Sequence, residues 1–238
     1  MEQTDQFSAR MLQEWAPTLK RWDLIGSARP DYYLTISKRV EDRIKTYYHR
    51  KVENVIYPPV DTQKFKPDGK PPENYFLLVS RFVPYKRIDL VIDAFNKLGW
   101  PLVIIGSGNG KRMLQKKAKK NITFVTSYLT DAALVAYYQR CRAFVFAGDE
   151  DFGLIALEAQ ACGKPVICYR QSGMAEVVID GKTGILFNDQ TQESLIDALN
   201  TFTQEWYDSA LCRKNAEKFS VDRFQKQMKE EIMRIATL

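Results

Sequence analysis

The chain has one histidine, His49, and it lies in a polar, aromatic-rich stretch (Tyr47-Tyr48-His49-Arg50) far from every other motif. From Tyr75 onward no imidazole is available, so no histidine general base and no Ser/His or Cys/His dyad can be built there. Cysteine is scarce as well. Cys141, Cys162, Cys168 and Cys212 show no close pairing pattern, and three of them fall in segments that read as helix or strand. They are expected to be small core residues, not disulfides or metal ligands. No apolar run approaches the roughly 20 residues that span a bilayer, and Met-Glu-Gln-Thr-Asp-Gln has no basic segment leading into an apolar one. The expectation is a soluble cytoplasmic protein. Glycine and proline are modest, at 12 and 10 of 238 residues, and hydrophobic residues make up 45%, so a globular chain with a real core follows.

The formal net charge of +6 favours an anionic partner: a nucleotide, an acidic membrane surface or nucleic acid. The densest cationic cluster is Lys111, Arg112, Lys116, Lys117, Lys119 and Lys120, on a predicted helix whose thin apolar stripe is Met113, Leu114 and Ala118. It reads as a solvated helix face or as a contact for anionic lipid. Nucleic acid is not expected, because stacking aromatics and a recognisable binding module are missing.

From Tyr75 onward, short apolar runs alternate with helical patterns: residues 76–80, 102–106, 122–125, 143–147 and 165–169. Each run is almost continuously apolar, as in strands covered on both faces, while Leu90, Val91, Ala94, Phe95 and Leu98 recur at helical spacing, as do Leu134, Val135 and Tyr138. The fold class this predicts is α/β, a doubly wound parallel sheet with its ligand at the carboxyl ends of the strands. The front of the chain reads differently. An amphipathic helix over 6–22, a strand over 31–37, a helix to about His49 and a strand over 55–58 give too few strands for an independent sheet. Pro58-Pro59 and the polar stretch 66–72 read as a linker, and this front section reads as the tail of another α/β unit. Three helical segments, 191–205, 207–218 and 221–236, close the chain with no further strand signal.

Arg81 and Lys86 follow the first strand of this sheet, where two cations suit a diphosphate or are simply surface charges. Gly106-Ser107-Gly108-Asn109-Gly110 follows the second strand but lacks glycine at 111 and a ribose-binding acid after the next strand. It is a tight turn that approaches a ligand, not a dinucleotide fingerprint. The stretch from Asp149 to Glu158 sets Glu150 in a loop and Glu158 inside a helix predicted to begin near Phe152 or Gly153. At about 1.5 Å per residue, the second carboxylate lies roughly 7 to 8 Å along the axis, so the two acids can hold different hydroxyl-bearing groups of one ligand. Asp149-Glu150-Asp151 also matches a D-x-D metal pattern, but the helix N-terminus and the upstream cations argue against a metal.

Taken together, Arg81 and Lys86, the Gly106 turn, Glu150 with Glu158, and the run from Ser172 to Gly184 resemble glycosyltransferase family 4, retaining enzymes of the GT-B fold. The likeness covers about residues 20–235, and EDFGLIALEAQACGKPVI is a highly specific stretch. VPYKRID and FAGDEDFGL look most like mannosyltransferases that use GDP-mannose in polysaccharide assembly. The resemblance implies that Arg81 and Lys86 bind the donor diphosphate and stabilise the leaving group without metal or other cofactor. It assigns Glu158 to the ribose, Glu150 with the backbone of Phe152, Gly153 and Leu154 to the donor sugar, and Ser127, Tyr128 and Leu129 to the base. Gly106 and Gly108 would shape the donor site. Residues 1–68 resemble the last portion of the acceptor-binding domain and residues 69–238 the donor-binding domain with its C-terminal helices. Implied partners are the nucleotide sugar, a separate acceptor-domain chain or a second copy, and an anionic membrane surface touched peripherally. A non-catalytic or split subunit and another GT-B enzyme, such as a sugar-nucleotide epimerase, are the alternatives. Arg87 stands where a glycine often follows the lysine, and Asp151 where one usually separates Glu150 from Phe152.

Overall fold

A computed structural model describes residues 2–202 and 207–237. Its centre is a six-stranded, wholly parallel sheet of β3 (Phe76–Val79), β4 (Leu102–Ile105), β5 (Ile122–Val125), β6 (Phe144–Phe146), β7 (Val166–Tyr169) and β8 (Gly184–Phe187), in the order β5-β4-β3-β6-β7-β8. The predicted doubly wound α/β class is the one observed. The chain enters this sheet in its middle at β3, builds outward to β5, then returns to the other side of β3 with β6. The strand order therefore reverses between β3 and β6, the switch point at which open sheets of this kind take their ligands.

The continuous apolar runs have a direct cause. Phe76 and Leu78 point to one face of the sheet and Leu77 to the other, as Val145 opposes Phe144 and Phe146, and all six side chains are fully buried. On the first face pack α3 (Ile88–Leu98), Leu114 of α4 (Lys111–Lys117) and α7 (Gln192–Thr201). On the second lie α5 (Asp131–Arg140), α6 (Leu154–Ala161) and α8 (Ser209–Glu217). Thr130, Thr191 and Asp208 cap α5, α7 and α8 through side-chain acceptors, which fixes where those helices begin. The four cysteines are free and buried in this core, and burial pushes the Cys141, Cys162 and Cys212 thiols up to about 12.

β8 lies where no strand was predicted. Its four residues, GILF, begin on a glycine and are too short for alternation to register, and only pairing with β7 makes them a strand. The end of the helix predicted over 191–205 lies outside the described residues. The basic cluster is less helical than expected: α4 stops at Lys117, so Lys119 and Lys120 follow it in a turn.

Ahead of the sheet come α1 (Glu2–Ser27), β1 (Leu34–Thr35), α2 (Lys38–Tyr48) and β2 (Asn54–Val55), with β1 and β2 paired in parallel. Both strands are far shorter than the runs predicted at 31–37 and 55–58. The apolar side of α1 has no cover among the described residues: Met11, Trp15, Leu19, Trp22 and Ile25 are all exposed. No helix among the described residues is long and apolar enough to cross a membrane. The connection onward is firmly packed, with Val60 and Phe65 buried in the second core. From the other end of the chain, α9 (Val221–Ala236) returns to this segment, where Glu231 accepts from Asn54 at 3.3 Å.

Candidate functional site

The loops after β3 and β6 converge at the switch point. Residues 84–86 form a 3-10 turn that brings Lys86 back over the sheet, and its ammonium bonds the Glu150 carboxylate from the opposite loop. Lys86 is buried, and its ammonium lies 4.6 Å from the Tyr85 ring centroid. Gly148 makes this approach feasible, because a Cβ there would sit 2.7 Å from the Lys86 Cα and carbonyl oxygen. Directly after Lys86 the chain turns left-handed at Arg87, with φ of 50°. That backbone explains why glycine suits the position; Arg87 holds it while its guanidinium reaches Asp89 at 3.4 Å.

Glu150 stands two residues before Phe152, and α6 starts at Leu154 with Gly153 as its N-cap, slightly later than predicted. No side chain caps the helix, so its first-turn N–H groups and positive end are left without a side-chain acceptor. The loop is clasped by the turn after β7. The Glu150 N–H donates to Ser172 Oγ at 3.1 Å, and the Gly173 N–H donates to the Glu150 carbonyl at 2.7 Å. A Cβ on Gly173 would meet the Asp151 carbonyl at 2.5 Å, so only glycine permits the clasp. Phe152 is not open to a ligand; its buried ring stacks on Tyr57 at 5.5 Å.

The glycine loop after β4 serves the protein's own backbone. A Cβ on Gly106 would lie 1.8 Å from the Ser80 carbonyl oxygen, and one on Gly108 would lie 2.8 Å from that of Phe82. The sequence suggested a turn that nears a ligand; what it nears is residues 80–82, the strand end that carries Arg81. Arg81 itself is exposed and, among the described residues, makes no ion pair. Lys111, grouped by sequence with a solvated face, instead reaches the end of β5, where it donates to Thr126 Oγ1 at 2.7 Å. Beyond it, Ser127 and Tyr128 are exposed, Tyr128 at 93%, while Leu129 is half-buried against the core.

Asp149 and Asp151 have cationic partners that sequence reasoning missed. Arg39 and Arg43, one turn apart on α2, bind them: Arg39 to Asp149, Arg43 to Asp151. Arg39 also donates to the Gln171 carbonyl at 2.7 Å. In return Glu176 accepts from the Lys38 and Arg39 N–H groups at 2.9 and 3.0 Å, capping α2, and from the Tyr57 hydroxyl at 3.1 Å. Burial, then the Glu176 charge, pushes the Tyr57 hydroxyl up to about 12. The available signal was an Arg-x-x-x-Arg helix face and an Asp-x-Asp loop, complementary in charge but 110 residues apart. A cleft of about 480 Å³ opens beside this contact, between α2 and residues 170–176.

Glu158, fifth in α6, is separate from the Lys86–Glu150 pair. Its Oε2 accepts from the hydroxyl of Tyr138 on α5 at 2.8 Å. Burial raises its carboxyl above the ordinary value; the Tyr138 bond and the charge of Lys64 oppose that rise. The sequence marked Tyr138 only as one apolar position of a helix. Among the described residues no group of three or more His, Cys, Asp or Glu could hold a metal ion.

Against known proteins, residues 60–219 match the family model for glycosyl transferases group 1. The chain is 28% identical over 183 residues to the uncharacterized glycosyltransferase MJ1178 of Methanocaldococcus jannaschii, covering 74% of this chain and 51% of that protein. It is 31% identical over 171 residues to the GDP-mannose-dependent alpha-(1-6)-phosphatidylinositol monomannoside mannosyltransferase of Mycolicibacterium smegmatis, covering 60% and 44%. In structure it resembles Anabaena Alr3699/HepE, solved in complex with UDP and glucose, with a TM-score of 0.79 at 18% identity over 93% of this chain and 68% of that one. The chain spans about half the length of the curated relatives it matches.

Proposed function

Since the chain belongs to the group 1 glycosyl transferases, we propose that the crevice at its strand switch point binds a nucleoside diphosphate sugar as the donor for retaining glycosyl transfer. One observation carries this reading: Lys86 and Glu150 meet between the loops after β3 and β6, just ahead of the uncapped N-terminus of α6. A diphosphate placed there finds the Lys86 ammonium and the helix dipole, with the exposed Arg81 supplied by the same loop as Lys86. As the bond from sugar to phosphate breaks, negative charge grows on the leaving group, and fixed cations stabilise it more than they stabilise the ground state. The catalytic assignment is therefore Arg81, Lys86 and Glu150. Glu150 and the backbone of Phe152, Gly153 and Leu154 take the sugar, Glu158 the ribose, and Ser127, Tyr128 and Leu129 the base. Gly106 and Gly108 act indirectly, by letting the Arg81 loop close over β4.

Metal independence is part of the proposal, supported by the guanidinium groups that already face Asp149 and Asp151. GDP-mannose is the donor we favour, on the likeness to the mycobacterial enzyme and the motifs around Lys86 and Glu150. Peripheral contact with anionic lipid is assigned to the α4 region through Arg112, Lys116 and Lys120. The test is a thermal-shift panel of GDP, UDP, ADP and their sugars without magnesium. Ligand at about 100 times its Kd stabilises the native state by roughly 2.7 kcal/mol. The shift should vanish in Arg81→Ala and shrink in Glu158→Ala; full-strength binding by both variants refutes the site.

A second reading, a donor-binding subunit whose acceptor domain is a separate chain, is favoured by the apolar side of α1, which is left exposed among the described residues. A monodisperse monomer that transfers sugar on its own would exclude it.

A further inference from the structure

We propose that Tyr138 is a positioning residue for nucleotide recognition: its hydroxyl anchors one oxygen of the Glu158 carboxylate so that the other meets the ribose diol. The inference rests on the assignment of Glu158 to the ribose and goes beyond it by naming what orients that carboxylate.

The geometry is specific. Tyr138 is fully buried, with 0% of its surface exposed, and its ring is wedged between Phe65, edge-on at 5.8 Å, and Phe144 at 6.0 Å. A wedged ring has no freedom to swing its hydroxyl elsewhere. That hydroxyl has one proton to give, and it goes to Glu158 Oε2 at 2.8 Å. Among the described residues Glu158 Oε1 has no hydrogen-bond partner. A carboxylate on a helix can otherwise sample several rotamers, and a ribose diol needs it in one.

The charge balance adds a second consequence. Tyr138, Lys64, Asp131 and Cys162 are the titratable groups around Glu158, and Lys64 is itself paired to Asp131 at 2.6 Å. Burial favours the protonated acid, while the Tyr138 hydroxyl and Lys64 favour the carboxylate. Removing the hydroxyl leaves burial less opposed. The group then takes up a proton at higher pH, and a protonated acid accepts fewer hydrogen bonds from the diol.

The experiment is calorimetric titration of wild type and Tyr138→Phe with UDP and GDP, each beside its 2′,3′-dideoxy analogue. Wild type should prefer the ribose forms. Tyr138→Phe should lose about tenfold for the ribose form, the scale of one hydrogen bond to a charged group, and nothing for the dideoxy form. The acid limb of its ribose-form binding should move to higher pH. In a Glu158→Ala background, Tyr138→Phe should have no further effect. An undiminished ribose preference in Tyr138→Phe, or an equal loss for both forms, overturns the role. A wild type indifferent to the diol overturns the ribose assignment beneath it. If Tyr138→Phe does not fold, NMR of wild type asks the same question. The Tyr138 hydroxyl proton resonance should shift with the ribose form and not with the dideoxy form, and movement with both or with neither overturns the proposal.

Discussion

Replacing Gly106 by alanine separates two uses of a glycine loop: room for a ligand and room for the protein's own backbone. At Gly106 φ is 146°, and a Cβ would lie 1.8 Å from the Ser80 carbonyl oxygen. Side-chain carbons need about 3.0 Å, so the two segments must part by about 1.2 Å. They part at the centre of the sheet, where the Ser80 N–H donates to the Ile105 carbonyl at 3.0 Å and the Gly106 N–H to that of Val125 at 3.1 Å. A buried group stripped of its bond costs about 1–3 kcal/mol, and a dihedral suited only to glycine adds about 1–3 kcal/mol. The expected loss is about 4 kcal/mol or more, a large share of the roughly 5–15 kcal/mol that holds a domain folded. Gly69→Ala is the control. Its φ is 73° with nothing within 4 Å of the new carbon, so it isolates the dihedral cost, about 1 kcal/mol. Urea unfolding followed by circular dichroism gives both values, with equal m required for the comparison. If Gly106→Ala falls within about 0.5 kcal/mol of the control, the packing explanation fails. Lost nucleotide binding at unchanged stability would return the loop to the ligand.

Two further outcomes follow from groups around α6. Burial raises the Glu158 carboxyl, so between the unfolded and folded values the native state holds a proton that the unfolded chain has released, and stability falls as pH rises through that window. Glu158→Gln, whose amide oxygen can still accept from Tyr138, should therefore exceed wild type in stability at neutral pH. The gap should close below the ordinary carboxylate range; urea midpoints that differ equally at both pH values would refute this. Glu176→Ala leaves the Lys38 and Arg39 N–H groups without their acceptor, so amide exchange in α2 should quicken by about tenfold while β3, β4 and β6 stay protected. Unchanged protection in α2 would show that Glu176 does not hold it.

What the sequence revealed and what it hid divide along chain separation. The strands β3 to β7 were legible because each is covered on both faces and reads as an unbroken apolar run. Lys86 and Glu150 stood out as charges in the loops that follow such runs, and the fold brings the two together, whereas Glu158 stood out only by its spacing from Glu150 within a helix. β8 escaped notice because its four residues are defined by a neighbour and not by a pattern. Tyr138 escaped because a buried tyrosine and a buried phenylalanine look alike at helical spacing until the acceptor of the hydroxyl is known. The glycines were read correctly as a place of close approach, but their partner was backbone from the preceding loop. Arg87 was visible as a departure from a glycine preference, and the left-handed backbone supplies the reason.

The contact between α2 and the acidic loop is better understood as placement than as stabilisation. Arg43 and Asp151 are about half exposed, and such pairs contribute roughly 0–1 kcal/mol. Within the Arg39–Asp149 pair, Arg39 Nε and Asp149 Oδ1 are buried without hydrogen-bond partners among the described residues, and orphaned groups of that kind cost about 1–3 kcal/mol each. The net energy of the contact is thus close to zero or unfavourable. What it does achieve is geometric: Asp149 and Asp151 flank Glu150, so gripping both from one helix face leaves the carboxylate between them little freedom except toward Lys86. Glu176 completes the arrangement from the other side, tying the same helix turn to the residues that clasp the Glu150 backbone. A loop held at three points by residues from two distant segments can present one carboxylate in a fixed place, as the sugar-holding role proposed for Glu150 requires.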